Sequence, residues 1–179
     1  MKRFPRIDLP LLLAVMGLCF AACDTPLPRR VAFKEADFAG YRGPGTATVT
    51  GKLVVPTEEG AKEGNGSRVE LVPVNAYTEE MVEMELGQGR LLSPRVDPRF
   101  KQYARIVTTD GNGNFSITSV PAGRYFICGQ VDWLPAGETD YVGQWALERI
   151  TVAPRRTLHV TLTHDPNEGH GVEMIEVLR

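Results

Sequence analysis

The side chains best suited to hold a metal lie near the end of the chain, where His164, Asp165, Glu168, His170 and Glu173 fall within ten residues. Imidazole and carboxylate are donors that zinc and copper accept. Five residues separate the two imidazoles, and Pro166 and Gly169 interrupt the backbone, so no fixed ligand geometry follows. Residues 164–179 therefore read as a polar C-terminal segment, with no metal expected. Asp110, Asn112 and Asn114 have the alternation of oxygen ligands in a calcium loop. Such a loop needs glycine at its sixth position and a bidentate glutamate at its twelfth. Here those positions hold Phe115 and Pro121, and the stretch Asp110 to Asn114 reads instead as the turn of a tight hairpin. Ser67, Ser93, Ser116 and Ser119 accompany three histidines, but no Gly-x-Ser-x-Gly elbow activates any of them. Cys128 sits in an apolar strand with no neighbouring base, the setting of an inert packing thiol. No glycine-rich phosphate loop and no interleaving of aromatic with basic residues is present, so neither a cofactor nor nucleic acid is expected. Trp133, Tyr141 and Trp145 remain. They flank a loop containing Pro135, Gly137 and Gly143. Exposed rings there could stack on a polysaccharide or anchor a partner protein; the competing reading is that Trp133 and Trp145 complete the core.

The chain that must position these groups has 179 residues, 42% apolar and 23% charged, with 18 Gly and 13 Pro. That is enough for one well-packed domain and its attachment. The net charge of −2 supplies no basic field for nucleic acid. The longest apolar run, Leu11 to Ala22, falls short of the roughly 20 residues a membrane-spanning helix needs. It does lie where an export signal belongs: Lys2, Arg3 and Arg6 precede it, and the small residues Ala21 and Ala22 close it. Residues 1–22 are read as a signal peptide. Of the three cysteines, Cys19 and Cys23 lie in or at the end of this signal and only Cys128 belongs to the body, so a disulfide framework is excluded.

Cys23 directly follows Ala21 and Ala22, and this arrangement resembles the lipobox of bacterial lipoproteins, with Phe20 where that family usually has leucine. The resemblance implies acylation of Cys23, cleavage before it, and a domain lipid-anchored to a membrane of the cell envelope, on its periplasmic side. The alternative is cleavage by the general signal peptidase after Ala21 or Ala22, leaving Cys23 an idle thiol. Each buried methylene contributes about 0.8 kcal/mol, so a multiply acylated cysteine would hold the chain on a bilayer. Asp24, next to the anchor, resembles an inner-membrane sorting signal. Residues 23–45, with Pro26, Pro28, Arg29, Arg30, Pro44 and Gly45, show no sustained periodicity and read as the lipidated N-terminus and a tether.

The body, 46–163, has the period of two expected of half-buried strands. Ala47, Val49, Gly51, Leu53 and Val55 alternate with more polar positions, and Arg68 to Val74 follows as a second strand, suggesting a hairpin. Tyr103 to Thr109 and Phe115 to Val120 flank the Asp110 turn as another. Arg124 to Trp133 carries apolar residues on both faces, as a central strand does. Trp145 to Val152 and Thr157 to Thr163 complete the set. Between them, residues 75–102 form an insertion over one sheet. Its Tyr77, Met81 and Met84 have the spacing of a short helix face, which could line a ligand groove but better fits a plug for the domain's own core. Gly87, Pro94 and Pro98 end it. Seven short strands at this spacing predict an all-β, antiparallel β-sandwich with a short helical insertion.

The stretch Thr108 to Trp133 resembles the carboxypeptidase regulatory-like domain, a transthyretin-like sandwich. Asp110, Gly113, Phe115, Val120, Pro121, Gly123 and Tyr125 carry the resemblance; Gly51, Val69, Leu71, Leu158, Val160 and Leu162 extend it over the body. It implies a seven-stranded, prealbumin-like Greek key. These are turn and core positions, and a fold does not specify an activity. Hydroxyisourate hydrolases share this architecture but end in Tyr-Arg-Gly-Ser, where this chain ends Glu176, Val177, Leu178, Arg179. The expectation is a non-catalytic binding or interaction module at the cell envelope, with a carbohydrate-binding module as the first alternative and a metal-dependent hydrolase around His164 and His170 as the second.

Overall fold

A computed structural model describes residues 25–164. Cys23, Asp24 and the polar cluster from Asp165 onward lie outside them. Ten strands run in the order β1 (Leu27–Pro28), β2 (Ala47–Val55), β3 (Lys62–Glu63), β4 (Arg68–Pro73), β5 (Leu92–Ser93), β6 (Arg105–Thr108), β7 (Asn114–Val120), β8 (Gly123–Trp133), β9 (Val142–Val152) and β10 (Thr157–Leu162). Helix α1 (Ala76–Met81) continues into a π-helical turn at Val82–Gly87, and 3-10 helices cover Glu35–Tyr41 and Pro98–Gln102.

The alternation of β2 turns Ala47, Val49, Leu53 and Val55 inward. This strand is the centre of one sheet, with β10 parallel on one side, β7 antiparallel on the other and β3 against its last two residues. The second sheet has the order β6-β4-β8-β9 and is antiparallel throughout. Val69, Leu71, Ile127, Val131 and Ala146 of this sheet meet Val49, Leu53, Phe115, Ile117 and Leu162 of the other in one buried cluster. The outer face of the second sheet contributes Val72 and Phe126 to a second core, closed by Tyr77, Met81 and Met84 of the insertion and by Phe38, Phe100 and Tyr103. The Tyr77, Met81 and Met84 face therefore plugs a core, as its spacing suggests. Asn75 starts the helix: its side-chain oxygen accepts from the amides of Tyr77 and Thr78, while the Thr78 hydroxyl accepts from the Asn75 amide.

Three sequence expectations need correction. Strands β2 and β4 do not form a hairpin. Both edges of β2 are taken by β7 and β10, and residues 56–67 carry the chain to the other sheet. Likewise β6 and β7 belong to different sheets, although the turn between them is built as expected. The Asp110 carboxylate accepts from the amides of Asn112 and Asn114, both at 2.9 Å, and Gly113 adopts φ +77°. A Cβ at Gly113 would lie 2.6 Å from the Leu53 carbonyl oxygen, so the turn also requires the missing side chain. An all-antiparallel arrangement is not observed either, since β10 runs parallel to β2 and β1 parallel to β5.

The described part of the expected tether, residues 25–45, is packed against the body. Leu27 and Pro28 pair with Leu92 and Ser93, and Phe38 is fully buried, stacked on Tyr103 at 4.8 Å and meeting Phe100 edge-on at 5.9 Å. The Arg29 side chain is buried as well. Its guanidinium lies 3.9 Å from the Tyr77 ring centre, donates to the carbonyls of Pro94 and Arg95, and pairs with Glu80. Its contacts are with an irregular insertion, so no period of two or of 3.6 could reveal them.

Candidate functional site

One face of the second sheet changes character along its length. On β8 the outward positions are Phe126, Cys128, Gln130 and Asp132; on β4 they are Val72, Glu70 and Arg68; on β9 they are Leu147, Trp145 and Gly143. The register aligns these sets, with Val72 opposite Phe126, Glu70 opposite Cys128, Cys128 opposite Leu147, Gln130 opposite Trp145 and Asp132 opposite Gly143. The apolar end lies under the insertion. The polar end is open and forms a cleft of about 270 Å³, lined by Asn65, Ser67, Arg68, Glu70, Gln130, Asp132 and Trp145 among others.

Local structure holds the walls. The Thr109 hydroxyl, buried at the end of β6, accepts from the Ser67 amide at 2.8 Å and donates to the Gly64 carbonyl, pinning the turn that carries Asn65. Gln130 Nε2 donates to Asp132 Oδ1 at 2.7 Å. This pair occupies the space that a side chain at position 143 would need: a Cβ on Gly143 would lie 2.2 Å from Gln130 Nε2 and 2.5 Å from Asp132 Oδ1. The Arg68 Nε stands 2.8 Å from Glu70 Oε1. Burial pushes the Glu70 carboxyl above the ordinary carboxylate value, with Arg68 and Arg95 pulling the other way.

Behind the cleft, Glu70 and Trp145 also line a small apolar slot of about 20 Å³ with Met81, Leu86, Phe126 and Leu147. Cys128 lines it too, and burial raises its thiol pKa strongly, so the sulfur stays protonated and is a poor nucleophile. Glu85 reaches the slot from the π-helical turn with 2% of its surface exposed; burial raises its pKa against the attraction of Arg95, whose Nε lies 3.3 Å from Glu85 Oε2. Two buried polar atoms of slot-lining residues have no hydrogen-bond partner among the described residues: the indole Nε1 of Trp145 and Oε1 of Glu85. Buried polar groups are ordinarily paired, so each such atom needs a reason.

The structure separates the three aromatic candidates. Trp133 lies on the inward face of β8 and packs against the core between the sheets, opposite Val142. Trp145 pairs with Gln130 and so lies on the opposite, outward face. Tyr141 projects from the β8–β9 loop, 73% exposed. Of the three only Trp145 lines the cleft, while Trp133 takes the core position that was the competing reading. Arg68, Glu70, Gln130 and Asp132 were missed. Their signal was the change from apolar to polar along one face of β4 and of β8, which marks where the insertion stops covering the sheet. His159 lies elsewhere, on β10, with Nδ1 2.7 Å from the Thr50 hydroxyl. Among the described residues no group of three or more His, Cys, Asp and Glu side chains is placed to hold a metal, and no helix is long and apolar enough to cross a membrane.

Chemically, the cleft offers a guanidinium, carboxylates, amides and a hydroxyl beside an indole. Donors and acceptors together with an aromatic surface suit a neutral, polyhydroxylated ligand. No protein-family model and no curated protein sequence matches the chain. A solved structure does: the crystal structure of a "putative carbohydrate binding protein" from Pseudomonas aeruginosa is similar with a TM-score of 0.64 and 26% identity, over 75% of this chain and 99% of that one.

Proposed function

We propose that this chain is a non-catalytic carbohydrate-binding module held at a bacterial envelope membrane by lipid on Cys23. The observation that carries the binding reading is the open polar cleft in which Trp145 stands among Arg68, Glu70, Gln130 and Asp132. Planar carboxylate, amide and guanidinium groups can each engage two hydroxyls, and an indole offers an apolar surface to the C–H face of a sugar. The likeness to the Pseudomonas protein supports the same reading. The seven strands of four or more residues are taken as the transthyretin-like Greek key of the carboxypeptidase regulatory-like domains.

Glycan-array screening of the full chain, followed by calorimetry on the best ligand, tests the proposal. Trp145→Ala should weaken binding at least about tenfold, the 1.4 kcal/mol or more that a central aromatic anchor contributes. Absence of binding to any envelope glycan, or undiminished binding by a folded Trp145→Ala protein, overturns it. The anchor rests on the Cys23 motif and is tested separately. Cys23→Ser should release the protein from the membrane fraction and remove the acyl mass, and an unchanged distribution and mass would refute it.

A further inference from the structure

Resting on the carbohydrate reading of the cleft, we infer that its ligand is a linear, uncharged glycan lying along strand β9, with one sugar on Trp145 and another on Tyr141. Positions two apart in a strand share a face. Trp145 and Gly143 point outward on β9, and Tyr141, the residue before that strand, falls next in the series. On β8 the outward series of Gln130 and Asp132 reaches Leu134 in the same way. Beyond the cleft the sheet therefore ends in an apolar shelf. Tyr141 is 73% exposed and Leu134 45%, and with Val142 they are three of the four large hydrophobic residues exposed among the described residues. Single exposed apolar side chains are ordinary, but three at one hairpin end, continuous with a cleft, mark a contact surface.

Spacing sets the kind of ligand. At about 3.4 Å per residue, Tyr141 and Trp145 stand about 14 Å apart along the strand, farther than one pyranose ring reaches. A monosaccharide covers one of the two side chains, whereas a chain of about three or four units covers both. Between them Gly143 leaves the backbone bare, and the Gln130–Asp132 pair lies beside that gap, offering an amide and a carboxylate to the hydroxyls of the middle units. Strand β9 is at the edge of its sheet, so no neighbouring strand stands in the way of a chain leaving the cleft along it. Charge sets the rest. At this end Glu59 is paired with Lys62, but Asp132, Glu138 and Asp140 have no ion-pair partner among the described residues. A glycan carrying carboxylates or phosphates would bring like charge to them, and a neutral one does not.

Calorimetric titration of the full chain with 1,4-linked ladders of two, four and six units, made of glucose, of mannose and of galacturonic acid, tests this. In at least one neutral ladder the tetramer should bind at least about tenfold tighter than the dimer, with little further gain at six units. The galacturonate tetramer should bind more weakly than that neutral tetramer. Tyr141→Ala should remove the gain from two units to four, and Tyr141→Phe, which keeps an aromatic ring, should restore it. Equal affinity of dimer and tetramer in every ladder that binds, a gain that survives Tyr141→Ala, or tightest binding of galacturonate overturns the assignment and leaves the carbohydrate reading standing. Binding of no ladder also overturns it, and the glycan array then decides the carbohydrate reading by itself.

Discussion

Arg29 and Glu80 stand 51 residues apart in the chain, yet their side chains meet at 3.3 Å with less than a tenth of either exposed. The Glu80 carboxylate also accepts from the amides of Arg30, at 2.6 Å, and Val31, at 3.2 Å. One carboxylate thus fixes the N-terminal segment to helix α1. Removing one partner of such a pair leaves a buried charge uncompensated.

Glu80→Ala should therefore cost about 3–5 kcal/mol of stability, the range for a broken buried pair. Urea denaturation reads this as a lower midpoint. Glu80→Gln, which keeps an oxygen for the Arg30 amide, should cost less. Equal midpoints for Glu80→Ala and the wild type would mean that the segment does not depend on this contact.

Gly143 is predicted to matter for ligand and little for folding. The atoms a Cβ would strike are the ends of two partly exposed side chains, Gln130 and Asp132, which can move aside into the cleft. Gly143→Val should weaken glycan binding about tenfold or more, while the thermal midpoint shifts by only a few degrees. Full affinity in the variant would show that ligand does not use this end of the cleft.

The pH dependence of stability follows from two opposed sets of carboxylates. Burial raises Glu70 and Glu85 in the folded chain, so their contribution is fully present below their ordinary value of 4.5 and is lost as pH rises through the higher folded values. Hydrogen bonds from Arg99 draw Asp97 down to about 2, and those from Asn114 and Asn112 lower Asp110; their contribution is present above the ordinary value of 3.8 and is lost on acidification. Thermal stability should peak in mildly acidic solution and fall on the alkaline side of that peak. Glu85→Gln should flatten the alkaline side only, because Arg95 and Arg29, the cations drawing on Glu85, stay charged throughout. A thermal midpoint that rises steadily from pH 5 to pH 8 would contradict this.

What could be read beforehand, and what could not, divides along physical lines. Alternation in Ala47 to Val55 and Arg124 to Trp133 tells which side of a strand faces inward, and the spacing of Tyr77, Met81 and Met84 marks a buried face, because these are local periods. Partnership is not local. Nothing in β2 says whether β4 or β7 lies beside it, and the hairpins drawn from adjacency fail for that reason. The tryptophans are separated by register. Trp133 and Trp145 are joined by a loop whose length puts them on opposite faces; one residue more or fewer would have put both on the same side. The packing of residues 25–45 depends on single contacts such as Arg29 with Glu80, which leave no repeating mark.

Those contacts also change the mechanics of attachment. Were Cys23 embedded in a bilayer, the first paired residue, Leu27, would follow only four positions later, about 13 Å at full stretch. An extended run from 23 to 45 would let the body drift several nanometres from the surface. With Arg29 latched into the insertion, a lipid on Cys23 would moor the protein close alongside the headgroups, and its reach would be set by its own dimensions rather than by slack in the chain.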